Sequence, residues 1–451
     1  MSPPDLLDIA RAVASRARDG EQVEALVVRS RDTDVKVFDG DVESLSVAEV
    51  AGVGVRVVTD HRQGYAWAGS LDDAVVADAL ADARDNASFG APDEFYGLAT
   101  LDDIAGVEPA SLHLWRDDLA SVDTDTKVRM ALELEAATRA ADARVRGVEA
   151  ASYGDAAVET AIATSTGVEA SSRRTMCACF SYAMAGEGTA TQTGYGFSVG
   201  RSPSDLELAT AARDAADRAT RLLGAAQPPS RRLPVVFDPL VTASLLGLVG
   251  AALNGESVQK GRSLFVGREG EQVASPLVTV VDDPTNPEAY GASSYDAEGV
   301  PTRRNDLIVD GVLRMFLHNV STARRAGTTT TGSAVRGFKS TPGVGARALH
   351  LGPGTSTPEK ILWSVPEALY VQSVSGLHSG TNPVSGDFSV GATGLMVRDG
   401  AFAEPVREIT VASTIQRMLR DVAAVGDDLT WLPGGAAGVT LLVSEMQMSG
   451  K

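Results

Sequence analysis

Five histidines, two cysteines and a few acidic pairs are the residues of this chain best suited to chemistry, and their spacing decides which chemistry is open. A metal held on a helix needs two imidazoles about one turn apart, so that both rings reach one ion. His61, His113, His318, His350 and His378 never come that close; the nearest two, His350 and His378, stand 28 positions apart. Cys177 and Cys179 share one face of a predicted strand, but no neighbouring His or second Cys pair completes a ligand set, so they read as small buried residues. Gly196-Phe-Ser198-Val-Gly200 matches Gly-x-Ser-x-Gly, yet Arg201-Ser-Pro203 separates it from the next helix, whereas a nucleophile elbow enters its helix at once. It reads as a structural turn. Gly194, Gly196 and Gly200 do not make a dinucleotide fingerprint, and no phosphate loop of the Gly-Lys-Ser/Thr kind occurs. The acidic pairs Asp282-Asp283, Asp427-Asp428 and Asp296 with Glu298 read as solvated turns, as expected in so acidic a chain.

The bulk composition narrows the partners. The 451 residues carry a formal net charge of −19, which repels nucleic-acid phosphates and anionic membranes. Basic residues cluster only as pairs (Arg173-Arg174, Arg231-Arg232, Arg303-Arg304, Arg324-Arg325), which read as solvated surface or partner contacts. No apolar run reaches the ~18 residues of a membrane span, and Met1 to Arg18 reads as an amphipathic helix without a signal-peptide layout. Two cysteines in a chain of this length suit a reducing cytoplasm.

The elements that must position any site follow from periodicity. After the N-terminal helix the period drops to two, through Glu24–Arg29, Asp34–Phe38, Glu43–Glu49, Gly52–Thr59 and Gln63–Ala68: an antiparallel meander of short strands. An Ala-rich helix opens at Asp72-Asp73 and runs to about Ala87. Lys127–Ala141 is helical, Val145–Ser198 alternates again, and Asp205–Leu223 is a helix with Ser204 as candidate N-cap, so helix, strands, helix recurs. Gln227-Pro-Pro-Ser230 is a linker, followed by a strand at Leu233–Phe237, an apolar helix at Pro239–Leu253, and strands joined by Gly-rich loops from Pro276 onward. The expectation is an α+β fold: an N-terminal α+β domain with antiparallel strands and flanking helices (1–226) and a C-terminal β-rich domain (233–451).

The C-terminal half is the most specific. Asp282-Asp-Pro284, Tyr295-Asp-Ala-Glu-Gly-Val-Pro-Thr-Arg303, Asp310-Gly-Val-Leu313, Ser321-Thr-Ala-Arg324, Thr331-Gly-Ser333, Leu351-Gly-Pro-Gly354, Asn382-Pro-Val-Ser-Gly-Asp-Phe-Ser389 and Val425-Gly-Asp-Asp428 follow in order. Upstream come Gly52-Val-Gly-Val-Arg56, Ala163-Thr-Ser-Thr-Gly167, Leu233-Pro-Val-Val236 and Gly255-Glu-Ser-Val258. This ordered set, spanning nearly the whole chain, resembles the TldD/PmbA family and within it the PmbA (TldE) branch.

The resemblance implies a heteromeric zinc metallopeptidase acting on unfolded peptides or small proteins, in which a TldD-like subunit carries zinc on a helix with two His and a Glu, plus a later Cys. Here the corresponding helix, Leu240 to Leu253, holds no His, Glu or Cys, and Asp428 to Gly438 holds no Cys. The implied role is therefore a non-catalytic subunit with no catalytic or metal residue of its own, supplying channel wall and interface to a zinc-bearing partner, and able to form a homodimer when alone. Arg303 and Arg324 are candidates to grip a peptide carboxylate. Asn382, Gly386, Asp387 and Phe388 are candidate channel or interface residues, with the turns of a β-fold as the alternative. Two other readings stay open: a stand-alone hydrolase using Ser198 or the scattered His, and a peptide-binding scaffold without a metal site.

Overall fold

The computed structural model describes residues 5–451, so the first four residues of the expected N-terminal helix lie outside the described residues. Strands β1 (Glu21–Phe38), β2 (Asp41–Thr59), β3 (Arg62–Ala68), β4 (Val145–Thr164), β5 (Glu169–Ala185) and β6 (Gln192–Gly200) form one antiparallel sheet in the order β3-β2-β1-β4-β5-β6. Along the same stretch run helices α1 (Leu6–Ala14) and α2 (Asp73–Phe89), the short α3 (Leu101–Ile104) and α4 (Asp117–Ser121), then α5 (Thr124–Ala141) and α6 (Leu208–Thr220). One face of the sheet is covered by α1 and α2 over Val23, Ala25, Val27, Val53 and Val55, and by α5 and α6 over Val35, Tyr153 and Cys177.

The strands are longer than the sequence predicts. β1 joins Glu24–Arg29 to Asp34–Phe38 without a break, because its register runs unbroken against β4 through Ser30-Arg31-Asp32-Thr33. With partners on both sides, the polar residues there lose no backbone hydrogen bond, and Thr33 itself is buried, accepting from Lys127 Nζ at 3.1 Å. The expected N-cap at Ser204 is also displaced. Ser202 caps a single turn at Pro203–Asp205, and α6 begins at Leu208.

Two glycine positions explain how helices approach this sheet. A Cβ on Gly196 would lie 2.0 Å from the Ala211 carbonyl of α6, and one on Gly64 would lie 2.0 Å from the Ala83 carbonyl of α2. Gly196 belongs to the Gly-x-Ser-x-Gly match, and its work is to admit a helix. Ser198 lies within β6, not at a turn, and its Oγ accepts from the Glu207 amide at 3.0 Å just ahead of α6.

From residue 231 onward come β7 (Arg231–Phe237), α7 (Pro239–Ala252), α8 (Gly255–Gln259), β8 (Val280–Asp282), β9 (Asn305–Val309), β10 (Val312–Leu313), α9 (Val320–Ala326), β11 (Ala334–Val335), β12 (Gly343–Val344), β13 (Leu349–Leu351), α10 (Pro358–Trp363), β14 (Glu367–Ser375), β15 (Asp387–Arg398), β16 (Ala401–Thr414), α11 (Ile415–Arg420), β17 (Val422–Val425), β18 (Thr430–Trp431), β19 (Ala437–Gly438) and β20 (Leu441–Ser449). The main sheet is ordered β16-β15-β14-β7-β20-β17, and β16 also pairs with β20, closing it into a barrel-like ring. The fold is α+β with a β-rich C-terminal half. Helix α7 is apolar all round and buries Val241, Leu245, Leu246 and Val249 in the largest core cluster. Its N-cap Asp238 accepts from the Leu240 amide, from Tyr370 Oη at 2.6 Å and from Arg218 at 2.7 Å, so α6, α7 and β14 meet on one carboxylate. Among the described residues no helix is long and apolar enough to cross a membrane.

The close approach at β6 gives a test. Strand propensity alone favours Ala over Gly, yet Gly196→Ala is expected to destabilise the chain by about 1–3 kcal/mol through the clash with α6. The urea midpoint, followed by far-UV circular dichroism, measures it.

Candidate functional site

Glu24, Leu26 and Val28 alternate onto the sheet face opposite the helices, and there loops from the C-terminal half dock. The joint is ionic and buried. Arg56 on β2 makes a two-pronged contact with Glu24 on β1 at 3.0 and 2.8 Å and reaches Glu298 at 3.1 Å. Arg336 donates to Glu24 and, at 3.0 Å, to the Ala297 carbonyl. Glu298 accepts in turn from the Val320 amide at 2.9 Å, the first residue of α9. None of these four side chains is more than 2% exposed. Burial alone would raise the Glu24 carboxyl, but Arg336 and Arg56 hold it below its ordinary value, so it stays charged. Beside this cluster Tyr65 Oη donates to the Phe338 carbonyl at 2.5 Å, where a Cβ on Gly54 would clash.

Two of the acidic pairs are corrected here: they are not solvated turns. Asp296 and Asp282 are buried and Glu298 is fully so. Asp296 accepts from the amides of Glu298, Val300 and Ala334 at 2.8–3.0 Å, folding its own loop and fastening β11 to it. Asp282 Oδ1 accepts from the Arg347 and Ala348 amides at 2.9 and 2.7 Å. Burial pushes Asp282 up to about 6 and Asp296, next to Glu298, up to about 7. Short polar residues in Gly-rich surroundings look like turns in a sequence; here the turns are folded inward and their backbone amides are the partners.

The candidate site residues do not converge. Arg303 lines a groove of about 340 Å³ with Asn305, His318 and Thr328–Thr331, donating to the Thr330 carbonyl at 2.7 Å while its buried Nε has no partner. Arg324 holds the Leu98 carbonyl at 2.8 Å and Asp103 at 3.2 Å, so it fastens the α3 region to α9. Asn382 caps its own turn by accepting from the Val384 and Ser385 amides, Gly386 takes φ 81°, and Asp387 is exposed at the start of β15. Phe388, 1% exposed, belongs to the large core.

The family resemblance implies zinc, and the side chains of this chain do not fit it. Helix α7 presents only apolar, small and hydroxyl side chains, and Asp428 is bound to Thr440 through its amide and hydroxyl. Among the described residues no three His, Cys, Asp or Glu side chains gather as a ligand set. Cys177 and Cys179 are buried free thiols, both pushed up by burial.

Comparison with known proteins fixes the family. The chain matches, in order, PmbA/TldA metallopeptidase domain 1 over residues 23–87, the central domain over 117–223 and the C-terminal domain over 230–450. This chain belongs to the PmbA/TldE family. It is 28% identical to the metalloprotease PmbA of Escherichia coli O157:H7, over 99% of this chain and 96% of that one. It is 26% identical to a TldD homologue of Haemophilus influenzae, over 88% and 84% of the two chains. Among solved structures it overlays on TldE from Thermococcus kodakarensis with a TM-score of 0.89, covering 98% and 99% of the chains; at 22% identity this likeness shows the fold. A Thermotoga maritima protein solved as a candidate modulator of a DNA gyrase overlays equally well, at 26% identity.

Sequence reasoning missed the Glu24–Arg56–Arg336 cluster. A signal was present: Arg56 interrupts a Val-rich strand, Gly52-Val-Gly-Val-Arg-Val-Val58, and a charge there needs a buried partner. Arg56→Leu leaves Glu24 and Glu298 with one counterion fewer and is expected to destabilise by about 3–5 kcal/mol in urea unfolding. A second test uses pH. Asp282 favours its neutral form in the fold, so its contribution is greatest below about 3.8 and is lost as pH rises through about 6. Asp282→Asn keeps an oxygen for both amides without titrating; unfolding free energies measured across that window should show the wild type losing stability relative to the variant as pH rises.

Proposed function

We propose that this chain is the non-catalytic, TldE-like subunit of a heteromeric zinc metallopeptidase acting on unfolded peptides or small proteins in the cytoplasm. The observation that carries the reading is the pairing of a metallopeptidase family match along the chain with an α7 that has no metal-binding side chain. Without ligands there is no Lewis acid to activate water here, so the contribution is shape and contact: a wall of the peptide channel and an interface that orders the zinc site of a TldD-like partner. An unfolded peptide enters such a channel extended and is held by backbone hydrogen bonds, which tolerate many sequences.

The test is reconstitution. The purified chain alone should hold no stoichiometric zinc by elemental analysis and should not cleave unfolded casein. Mixed with a TldD-like subunit from the same organism, it should co-elute, and cleavage should appear only in the mixture. Zinc on the isolated chain, or cleavage that Ser198→Ala abolishes, would sink this reading in favour of a stand-alone hydrolase.

A further inference from the structure

Strand β5 is paired along its whole length with β4, but with β6 only from Cys177 to Ala185. Its N-terminal part, Glu169 to Met176, is therefore a sheet edge that β6 does not reach. One residue of that edge is met from outside: the Thr175 amide donates to the Leu114 carbonyl at 2.9 Å. Antiparallel strands turn alternate residues to opposite neighbours, so the amides and carbonyls of Ser171 and Arg173 point the same way as those of Thr175, away from β4. They face a groove of about 890 Å³, whose far wall is the irregular segment Leu112 to Arg116. A volume in this range suits a sizeable ligand.

The groove is cationic in a chain of net charge −19. Its lining brings Arg29, Arg116, Arg173 and Arg174 together against Asp5 and Glu159. Arg173 lies over the Trp115 ring at 5.1 Å. Arg174 is half-buried, and among the described residues it makes no hydrogen bond or ion pair; burial, with Arg347 and Arg201 nearby, lowers its pKa to about 10, so it still carries its charge at neutral pH. A small annex of about 120 Å³ opens from the same place, sharing Thr160, Ser172, Arg174 and Ser293 with the groove and reaching Arg336 and Arg347. Arg336 Nη1 and Arg347 Nε are buried there without a hydrogen-bond partner. An unpaired Arg174 guanidinium, with single unsatisfied N–H groups of the otherwise bonded Arg336 and Arg347 behind it, calls for an anion at the end of this open sheet edge.

We propose that an extended acidic peptide segment lies in this groove as an added strand on the free edge of β5, its backbone pairing with Ser171 and Arg173 and a carboxylate meeting Arg174 at the mouth of the annex. The two observations are independent: the edge supplies the backbone ladder, and the arginines supply the preference for acid. The side chains of an added strand alternate between faces, so one set is directed towards Arg174 and the other towards Arg173 and Trp115. The carboxylate can come from an Asp or Glu side chain or from a peptide C-terminus. This rests on the peptide-handling role proposed above and names the chemistry of the segment.

The test uses the full chain alone and fluorescence anisotropy of a labelled peptide of alternating Glu and Val. The wild type should bind it, and Arg174→Gln should weaken binding by about tenfold or more, the loss expected for one charge-assisted hydrogen bond. Arg174 holds no partner in the fold, so the variant should fold, as far-UV circular dichroism checks. Replacing Glu by Gln in the peptide should weaken wild-type binding by a similar factor and should add little to the Arg174→Gln loss. N-methylation of alternate peptide amides should abolish binding, and Arg31→Gln, on β1 outside the groove lining, should leave it unchanged. An amidated C-terminus that alone removes binding assigns the carboxylate to the terminus; unchanged binding on amidation assigns it to a side chain. Equal binding of the Gln peptide, no effect of Arg174→Gln, or full binding of the N-methylated peptide with inorganic phosphate as an equal competitor would overturn the proposal. Because the partner subunit takes no part, failure here leaves the reconstitution result standing, and failure of reconstitution leaves this binding standing.

Discussion

The buried ion cluster of Glu24, Arg56, Glu298 and Arg336 is the constraint on which the rest of this structure turns. Charges taken out of water are costly, and they persist only where each finds opposite charge and hydrogen bonds in good geometry. Those partners come from distant parts of the chain: Glu24 and Arg56 from the N-terminal sheet, Glu298 and Arg336 from loops of the C-terminal half. The sheet can therefore sit on those loops in only one register. A slip of one residue would turn Glu24 towards the helices and set an apolar neighbour against Arg336. Glu298 carries the constraint further, through the Val320 amide, to the start of α9.

Around this joint the polar groups behave alike. Asp296 and Asp282 have no bidentate arginine of the kind Glu24 has; their partners are backbone amides of neighbouring segments. Such bonds satisfy the oxygen atoms without fully offsetting the desolvation of a negative charge, which is why both carboxyls favour the neutral form. Asp238 shows the other outcome. Arg218 and Tyr370 both reach it, and that one carboxylate ties α6, α7 and β14 together. Loops and helices here are pinned by charge at a few points and by apolar packing between them.

Much of the scaffold was legible in the sequence because it rests on local pattern. The period-two runs mark where β2, β4 and β5 lie, although β2, like β1, joins two of the predicted short strands; the Ala-rich stretches mark α2 and α6, and the apolar run from Pro239 marks α7. The ordered motifs of the C-terminal half carried the family. What stayed hidden depends on which distant segment lies opposite. The joining of two short strands into β1 is decided by β4, over a hundred residues later. Asp296 and Glu298 look solvated until β11 and Arg56 are placed beside them. Arg173-Arg174 reads as a surface pair because nothing local says that β6 stops short of it. Phe388 reads as loop because its burial is supplied by a core gathered from across the C-terminal half.

The closure of the C-terminal sheet bears on how the chain comes into being. Strand β20 lies between β7 and β17 and also meets β16, so Met448 pairs with Arg231, roughly 200 positions earlier, and Ser449 pairs with Thr410. Until residue 449 has been synthesised, β7 has an open flank and β16 an unpaired edge. The N-terminal sheet can assemble on the ribosome while the later ring waits for its last stave. Pairings this far apart along a chain form slowly, and during that delay α7 and the apolar faces beneath it are open to self-association.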